Sequence, residues 1–264
     1  MAGLFPLLRR GIEQLGYDPQ TFPPIRHTRR ALRFMGLDLH RFGPLSIDWQ
    51  LKQLFAEQRV ETLIDVGANR GQFGLSMREI GFRGTIHSFE PIPEVREKLD
   101  RVAARDGNWH VHGIALAAHA GRAIFNFGRF DQTSSLKTVD PVEASSNAVL
   151  EVVRRIEVDV ATLDTFLVDS GIDPGRTLLK IDVQGAELEV LAGASISLTK
   201  LPALLTETSL TSAYQQGGRI EALLQVLREH GLQITGMEPV YANPSRRLLL
   251  EMDVLALRPE SAAN

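Results

Sequence analysis

The chain has 264 residues, a formal net charge of −3 and 44% hydrophobic residues, which suits one α/β domain with an appendage, or at most two small domains, around a proper core. The slightly acidic balance gives no ground for a nucleic-acid partner, and the absence of cysteine removes disulfides, thiolate metal sites and thiol nucleophiles together. No apolar run approaches the roughly 20 residues of a membrane span. The opening "MAGLFPLLRRGIEQLGY" puts its apolar patch before its arginines, the reverse of a secretion signal, so a cytoplasmic location is expected.

Residues 1–50 differ from the rest. They are basic, broken by Pro19, Pro23 and Pro24, and read as two short helices around a proline turn. Arg26, Arg29, Arg30 and Arg33 cluster along the second, with His27 among them and His40 beyond. A solvated helix face is one reading. The other is a lid or substrate-binding segment whose arginines meet a phosphate-bearing acceptor or an anionic lipid surface, which would give the protein peripheral membrane contact. The expected division is thus 1–50 and 51–264.

From Val60 onward strands and helices alternate. "TLIDVG" leads into a helix over 72–80, "TIHSF" is a second strand, and Val95, Leu99 and Val102 mark the apolar stripe of the next helix. "WHVHGIAL" reads as a third strand and "GRAIFNFG" as an extra one. The polar stretch "FDQTSSLKTVDPVEASSNAV" is long for a connection and is expected to be a functional or disordered loop. "RIEVDVATLDTFL" resumes with a strand and short helix, "TLLKID" is a buried strand, "QGAELEVLAGA" a helix and "ALLTE" a strand. In "GRIEALLQVLREHG" a leucine stripe ends at Gly231, and "QITGM" and "LLLEMDVLAL" close the chain as strands that pair antiparallel. The β-α-β order predicts a doubly wound α/β sheet.

The glycine turn after the first strand decides between ligands. Asp65-Val-Gly67-Ala68-Asn69-Arg-Gly71 lacks the second glycine of the dinucleotide fingerprint and carries an acid before the first. That disfavours a nicotinamide oxidoreductase. A ligand with an ammonium, a carboxylate and a sulfonium at one end, S-adenosylmethionine, suits the turn better: helix N–H groups would take its carboxylate and Asp65 would face its cationic part. Glu90 ends the second strand 25 residues on, where such folds place the acid that binds the ribose hydroxyls. Pro91 stops that strand, and Ile114 and Ala115 would lie near the adenine.

"IDVGANRGQFG", "SFEP", "ATLDTF" and above all "LLKIDVQGAELEVLAGA" resemble the FkbM family of S-adenosylmethionine-dependent methyltransferases, over roughly residues 60–235. The resemblance implies a Rossmann-like seven-stranded methyltransferase sheet and O-methylation of hydroxyls, on sugars, glycolipids or macrolide-type products. Asp65, Gly67, Asn69, Gly71 and Glu90 match the cofactor motifs. Gln184 stands where the family commonly has glutamate. A non-sugar, polyketide-type alcohol is the alternative acceptor, and a ligand-binding module without chemistry the alternative class.

Strand alternation aims Lys180 and Asp182 to one side at the strand end beside the crevice. They form either an ion pair or, with Asp182 as base, the acceptor-facing group. Glu207 closes the next strand on the same rim. Asp182 and Glu207 together would also suit Mg²⁺, which prefers oxygen ligands. His27 is a further candidate base because histidine titrates near neutrality, whereas His87, His110 and His112 on strands read as face residues.

Overall fold

The computed structural model describes residues 43–128, 152–210, 220–243 and 247–259. The readings for residues 1–42, including His27, His40 and the four arginines, and for the polar loop at 130–149 lie outside the described residues. The chain divides into two units, Met1–Phe42 and Gly43–Asn264, and every described element belongs to the second.

Helix α1 (Ile47–Ala56) comes first. Ser46 caps it by accepting a hydrogen bond from the Trp49 N–H, and Ile47, Gln50, Leu51 and Leu54 form its buried stripe. Then come β1 (Thr62–Val66), α2 (Gln72–Ile80), β2 (Thr85–Phe89), α3 (Pro93–Ala103) and β3 (Trp109–His112). Next are β4 (Ala115–Leu116), β5 (Gly121–Gly128), β6 (Val152–Ala161), α4 (Leu163–Asp169) and β7 (Thr177–Ile181). The chain closes with α5 (Glu187–Ala192), β8 (Ala203–Ser209), α6 (Ile220–Glu229), β9 (Gln233–Asn243) and β10 (Leu248–Leu257).

The main sheet has seven strands in the order β3-β2-β1-β7-β8-β10-β9. The first four pairings are parallel. β10 inserts antiparallel between β8 and β9, so the last two strands pair as expected. Strand order reverses between β1 and β7, and in such sheets ligands bind in the crevice outside the strand ends at that switch point. Both faces are covered. Ile64, Val66, Leu179 and Leu204 pack with Leu163, Leu191 and Leu223 of α4, α5 and α6. On the other face, Leu63, Leu178, Leu205 and Leu255 pack with Ile47 and Leu51 of α1, Met77 of α2 and Leu99 of α3.

One expected strand is two. "WHVHGIAL" breaks at Gly113: β3 ends the main sheet, and β4 joins β6 and β5 in a second, three-stranded sheet. The Arg96 guanidinium lies against Gly113 at this break, where a Cβ would meet it. No described helix is long and apolar enough to cross a membrane.

Candidate active site

The switch point is built around a buried ion pair. Asp65, the fourth residue of β1, is wholly buried, and register places it beside Lys180 on β7. The Lys180 ammonium lies 3.0 Å from the Asp65 carboxylate and 3.7 Å from that of Asp182, and donates to the Gly67 carbonyl at 3.2 Å. Burial opposes the charge on Lys180, but Asp65 and then Asp182 outweigh it and hold the ammonium above the usual lysine range. Ser88 donates to Asp65 at 3.4 Å and itself accepts from the Trp109 indole N–H at 3.0 Å.

This corrects one expectation. Asp65 does not present its carboxylate to a ligand's cationic end, because Lys180 takes that charge inside the protein. Lys180, expected to pair with Asp182, lies closer to Asp65 and is a charged tie between β1 and β7. The physical reason is burial: a lone carboxylate at Asp65 would be prohibitive, so the fold supplies its counter-ion.

The glycine turn is dictated largely by packing. Gly67 has φ +75°, and a Cβ there would run into the Asp182 carbonyl, whose residue is held close by the bond from the Asp182 N–H to the Val66 carbonyl. A Cβ at Gly71 or Gly74 would press on the Trp109 ring, so those glycines let α2 close onto the sheet. Asn69 adopts φ +49°, a left-handed conformation that asparagine tolerates better than most residues. No side chain caps the start of α2, leaving its first-turn donors for an anionic group.

Glu90 stands where expected, 5% exposed at the end of β2. One oxygen accepts from the Asn69 N–H at 3.1 Å and the other from the Ile92 N–H at 3.0 Å. Burial pushes its carboxyl up to about 7 against the pull of those two donors. Each oxygen keeps a second lone pair, which fits a ribose diol. Pro91 is buried beside it, and Ala115 packs in one cluster with Ile92. Asp65, Gly67, Ala68, Asn69, Gly71 and Glu90 are therefore gathered at the neighbouring ends of β1 and β2, whereas β3 ends at His112, and Ala115, expected with Ile114 at the end of the third strand, opens β4 in the second sheet.

The rim across β7, β8 and β10 is acidic. Asp182 follows β7 with its side chain 40% exposed. Glu207 pairs in register with Asp253, and Asp253 with Glu238. Glu238 accepts from the Ile47 N–H at 2.9 Å, so it is engaged at the start of α1. Burial, followed by the charge of Asp182, drives Glu207 up to about 9 and Asp253 up to about 6, and raises Glu251 as well. Glu251 and Asp253 escaped the sequence reading. The signal was present, since two acids two residues apart on an otherwise apolar strand share one face.

Behind the rim, Glu187 accepts from the Val183 N–H at 3.2 Å and the Gly185 N–H at 3.0 Å. Burial pushes it up to about 7. Between those residues Gln184, at φ +54°, donates to Asp182 at 2.9 Å and to Glu207 at 3.3 Å. That amide corrects the Mg²⁺ expectation: a donor group sits between the two carboxylates, where a cation would have to enter. Among the described residues no group of three or more His, Cys, Asp or Glu is arranged to hold a metal ion.

The histidines lie on the opposite face of β2 from Ser88. His87 and His112 approach ring nitrogen to ring nitrogen at 3.1 Å beside Phe89 and Phe166. Burial lowers His87 to about 4 and lowers His112 too, with the neighbouring histidines adding to it. They form a neutral packed face with no part in the rim.

These shifts set the sign of a stability trend. In Glu207, Glu90 and Glu187 the folded-state value exceeds the unfolded one, so the stability each contributes is complete below about 4.5 and is lost as pH rises through the folded value. Between pH 7 and 9 no other shifted group among the described residues opposes this, because His87 and His112 act only below 6.5 and Lys180 only above 10.5. Melting temperature is therefore expected to fall by roughly 5 °C from pH 7 to 9, mostly through Glu207. A flat or rising profile by calorimetry would contradict the buried acidic rim.

Comparison with known proteins bears on the same residues. The family model of the methyltransferase FkbM domain matches residues 65–234, which spans the glycine turn, Glu90, Lys180, Asp182 and Glu207. The chain belongs to the FkbM methyltransferase family. It is 26% identical over 202 residues to the AMB antimetabolite synthetase AmbE of Pseudomonas aeruginosa, covering 66% of this chain and 10% of AmbE. It is 29% identical over 149 residues to Methyltransferase 1 of Beauveria bassiana, covering 50% of this chain and 57% of that relative. With the 2-O-methyltransferase NoeI of Sinorhizobium fredii it shares 25% over 171 residues, 62% of this chain and 70% of NoeI. The chain thus spans much less than two thirds of AmbE and rather more than half of Methyltransferase 1. In this member of the family β10, with Glu251 and Asp253, lies beyond the matched region.

Proposed function

We propose that the protein is an S-adenosylmethionine-dependent O-methyltransferase acting on a hydroxyl of a sugar, glycolipid or glycosylated product. The observation that carries this is the placement of Asp182, a half-exposed carboxylate held between Lys180 and Gln184, next to a glycine turn that leads into an uncapped helix. When bound, the cofactor supplies an electrophilic methyl group on its sulfonium. The first turn of α2 would receive its carboxylate and Glu90 its ribose hydroxyls. Asp182 would orient the acceptor hydroxyl and take its proton as the oxygen–methyl bond forms and the carbon–sulfur bond breaks, the electron pair leaving with sulfur. Methyl transfer needs the oxygen held about 3 Å from the methyl and a base within hydrogen-bond reach.

The likeness to NoeI, named a 2-O-methyltransferase, supports transfer to oxygen, and the sugar class follows the family resemblance of the sequence motifs. Arg26, Arg29, Arg30 and Arg33 are proposed to meet the acceptor's phosphate or an anionic lipid surface. The test is transfer of labelled methyl from S-adenosylmethionine to a panel of glycosides and lipid extracts, with isothermal titration against the cofactor and NAD. Label in a sugar ether supports the reading; NAD binding without cofactor binding overturns it. Glu90→Ala removes two charge-assisted hydrogen bonds to the ribose, worth about 1.5–3 kcal/mol each, so cofactor affinity is expected to fall at least tenfold. Unchanged affinity in the same titration would take Glu90 out of the pocket.

A further inference from the structure

We propose that Gln184 is a positioning residue that locks the Asp182 and Glu207 carboxylates into one acceptor-facing pair. The proposal rests on the reading of Asp182 as the group that meets the acceptor. Its own basis is a mount, a strained backbone and a two-pronged contact. The mount comes from both sides of the turn. Asp182 is tied to β1 through its N–H on the Val66 carbonyl, and Glu187 takes the N–H groups of Val183 and Gly185. Gln184 is thereby fixed between two clamped neighbours.

The backbone of Gln184 sits at φ +54°, a conformation that strains a side chain and not glycine. The amide contacts offset that strain: the nitrogen donates to Asp182 at 2.9 Å and to Glu207 at 3.3 Å. A primary amide has two N–H groups, and both are used here. In this orientation the amide nitrogen faces both carboxyl groups.

The consequence is geometric. Asp182 and Glu207 come from different strands, and Glu207 stands among like charges, with Asp182, Glu251, Glu187 and Asp253 all acting on it. The Gln184 amide is a side chain that touches both. Gln184 holds them at fixed separation without bringing in a third charge, as a glutamate would. Lys180 of β7 also approaches Asp182, at 3.7 Å, so Asp182 is held from two directions.

The test uses the full chain and three proteins: wild type, Gln184→Gly and Gln184→Glu. Glycine accepts the backbone conformation, so the fold survives and melting temperature holds or rises, while the amide is gone. The carboxyl carbon of Glu207 is followed by NMR across pH in each protein. Loss of the amide donor is expected to move its titration up by about one pH unit in Gln184→Gly, and further in Gln184→Glu. Methyl-transfer kcat is expected to fall at least tenfold in both variants with the KM for S-adenosylmethionine unchanged. A Glu207 titration in Gln184→Gly that superimposes on that of the wild type would overturn the proposal. If the titration moves but the wild type methylates no hydroxyl, the pair-locking role stands and the acceptor reading fails.

Discussion

Lys180→Met is expected to cost the protein about 3–5 kcal/mol of stability, because it leaves a buried charge without its partner. Asp65 is wholly buried, and the remaining contact to its carboxylate is a long hydrogen bond from Ser88 at 3.4 Å. With the ammonium gone, Asp65 must either stay charged without compensation or take up a proton at neutral pH. The Gly67 carbonyl loses its donor at the same time. Methionine matches the lysine stem well enough that packing contributes little to the loss. The Asp65→Asn/Lys180→Met double variant removes both charges, and replacing both members of a buried pair is often nearly neutral, so it is expected to recover most of the stability. Urea denaturation of the two single variants and the double variant decides the matter. If the double variant loses the sum of the single losses, the two residues are not coupled and the pair does not organise the switch point.

That result would also show why one part of the site was legible from sequence and another was not. Regular elements announced themselves through periodicity: α2, α3, β5 and β10 fall where the apolar pattern puts them. So did the order of acid, glycine turn and second acid, because each lies at a strand end in one βαβ unit. The partner of Asp65 could not be read the same way. Lys180 lies 115 residues away, and only strand order, β1 beside β7, brings the two together. Local alternation could pair Lys180 with Asp182 alone, which is the longer of its two ion pairs.

The same limit explains Gly67 and α1. A glycine after a first strand suggests room for a ligand, yet here it makes room for the Asp182 carbonyl, a contact across strands that no local pattern contains. Helix α1 has a cap at Ser46 and a buried stripe at helical spacing, so its signal was present. The surrounding basic, proline-broken stretch masked it. Glu187 was visible as part of a motif, but its use as a brace for the Val183–Gly185 turn depends on a left-handed Gln184, which composition does not reveal.

Asp182→Asn is expected to lower kcat by about 10²–10⁴-fold, the usual contribution of a positioned base, with cofactor affinity close to that of the wild type. The replacement keeps the shape and its carbonyl oxygen still accepts from Gln184. It removes the charge that would draw the acceptor proton. Stability is expected to change little at neutral pH, because Asp182 is 40% exposed and 3.7 Å from Lys180, and such half-exposed pairs contribute about 0–1 kcal/mol. A second effect separates this residue from a merely structural one. The charge of Asp182 helps raise Glu187, Glu207, Glu251 and Asp253, so its loss lets all four ionise at lower pH. The fall in melting temperature between pH 7 and 9 is then expected to shrink in Asp182→Asn, while single-turnover methyl transfer stays slow across that range. Wild-type turnover in this variant would remove Asp182 from the chemistry and leave it as a strut for Lys180. An unchanged stability profile would remove it from the electrostatics of the rim as well.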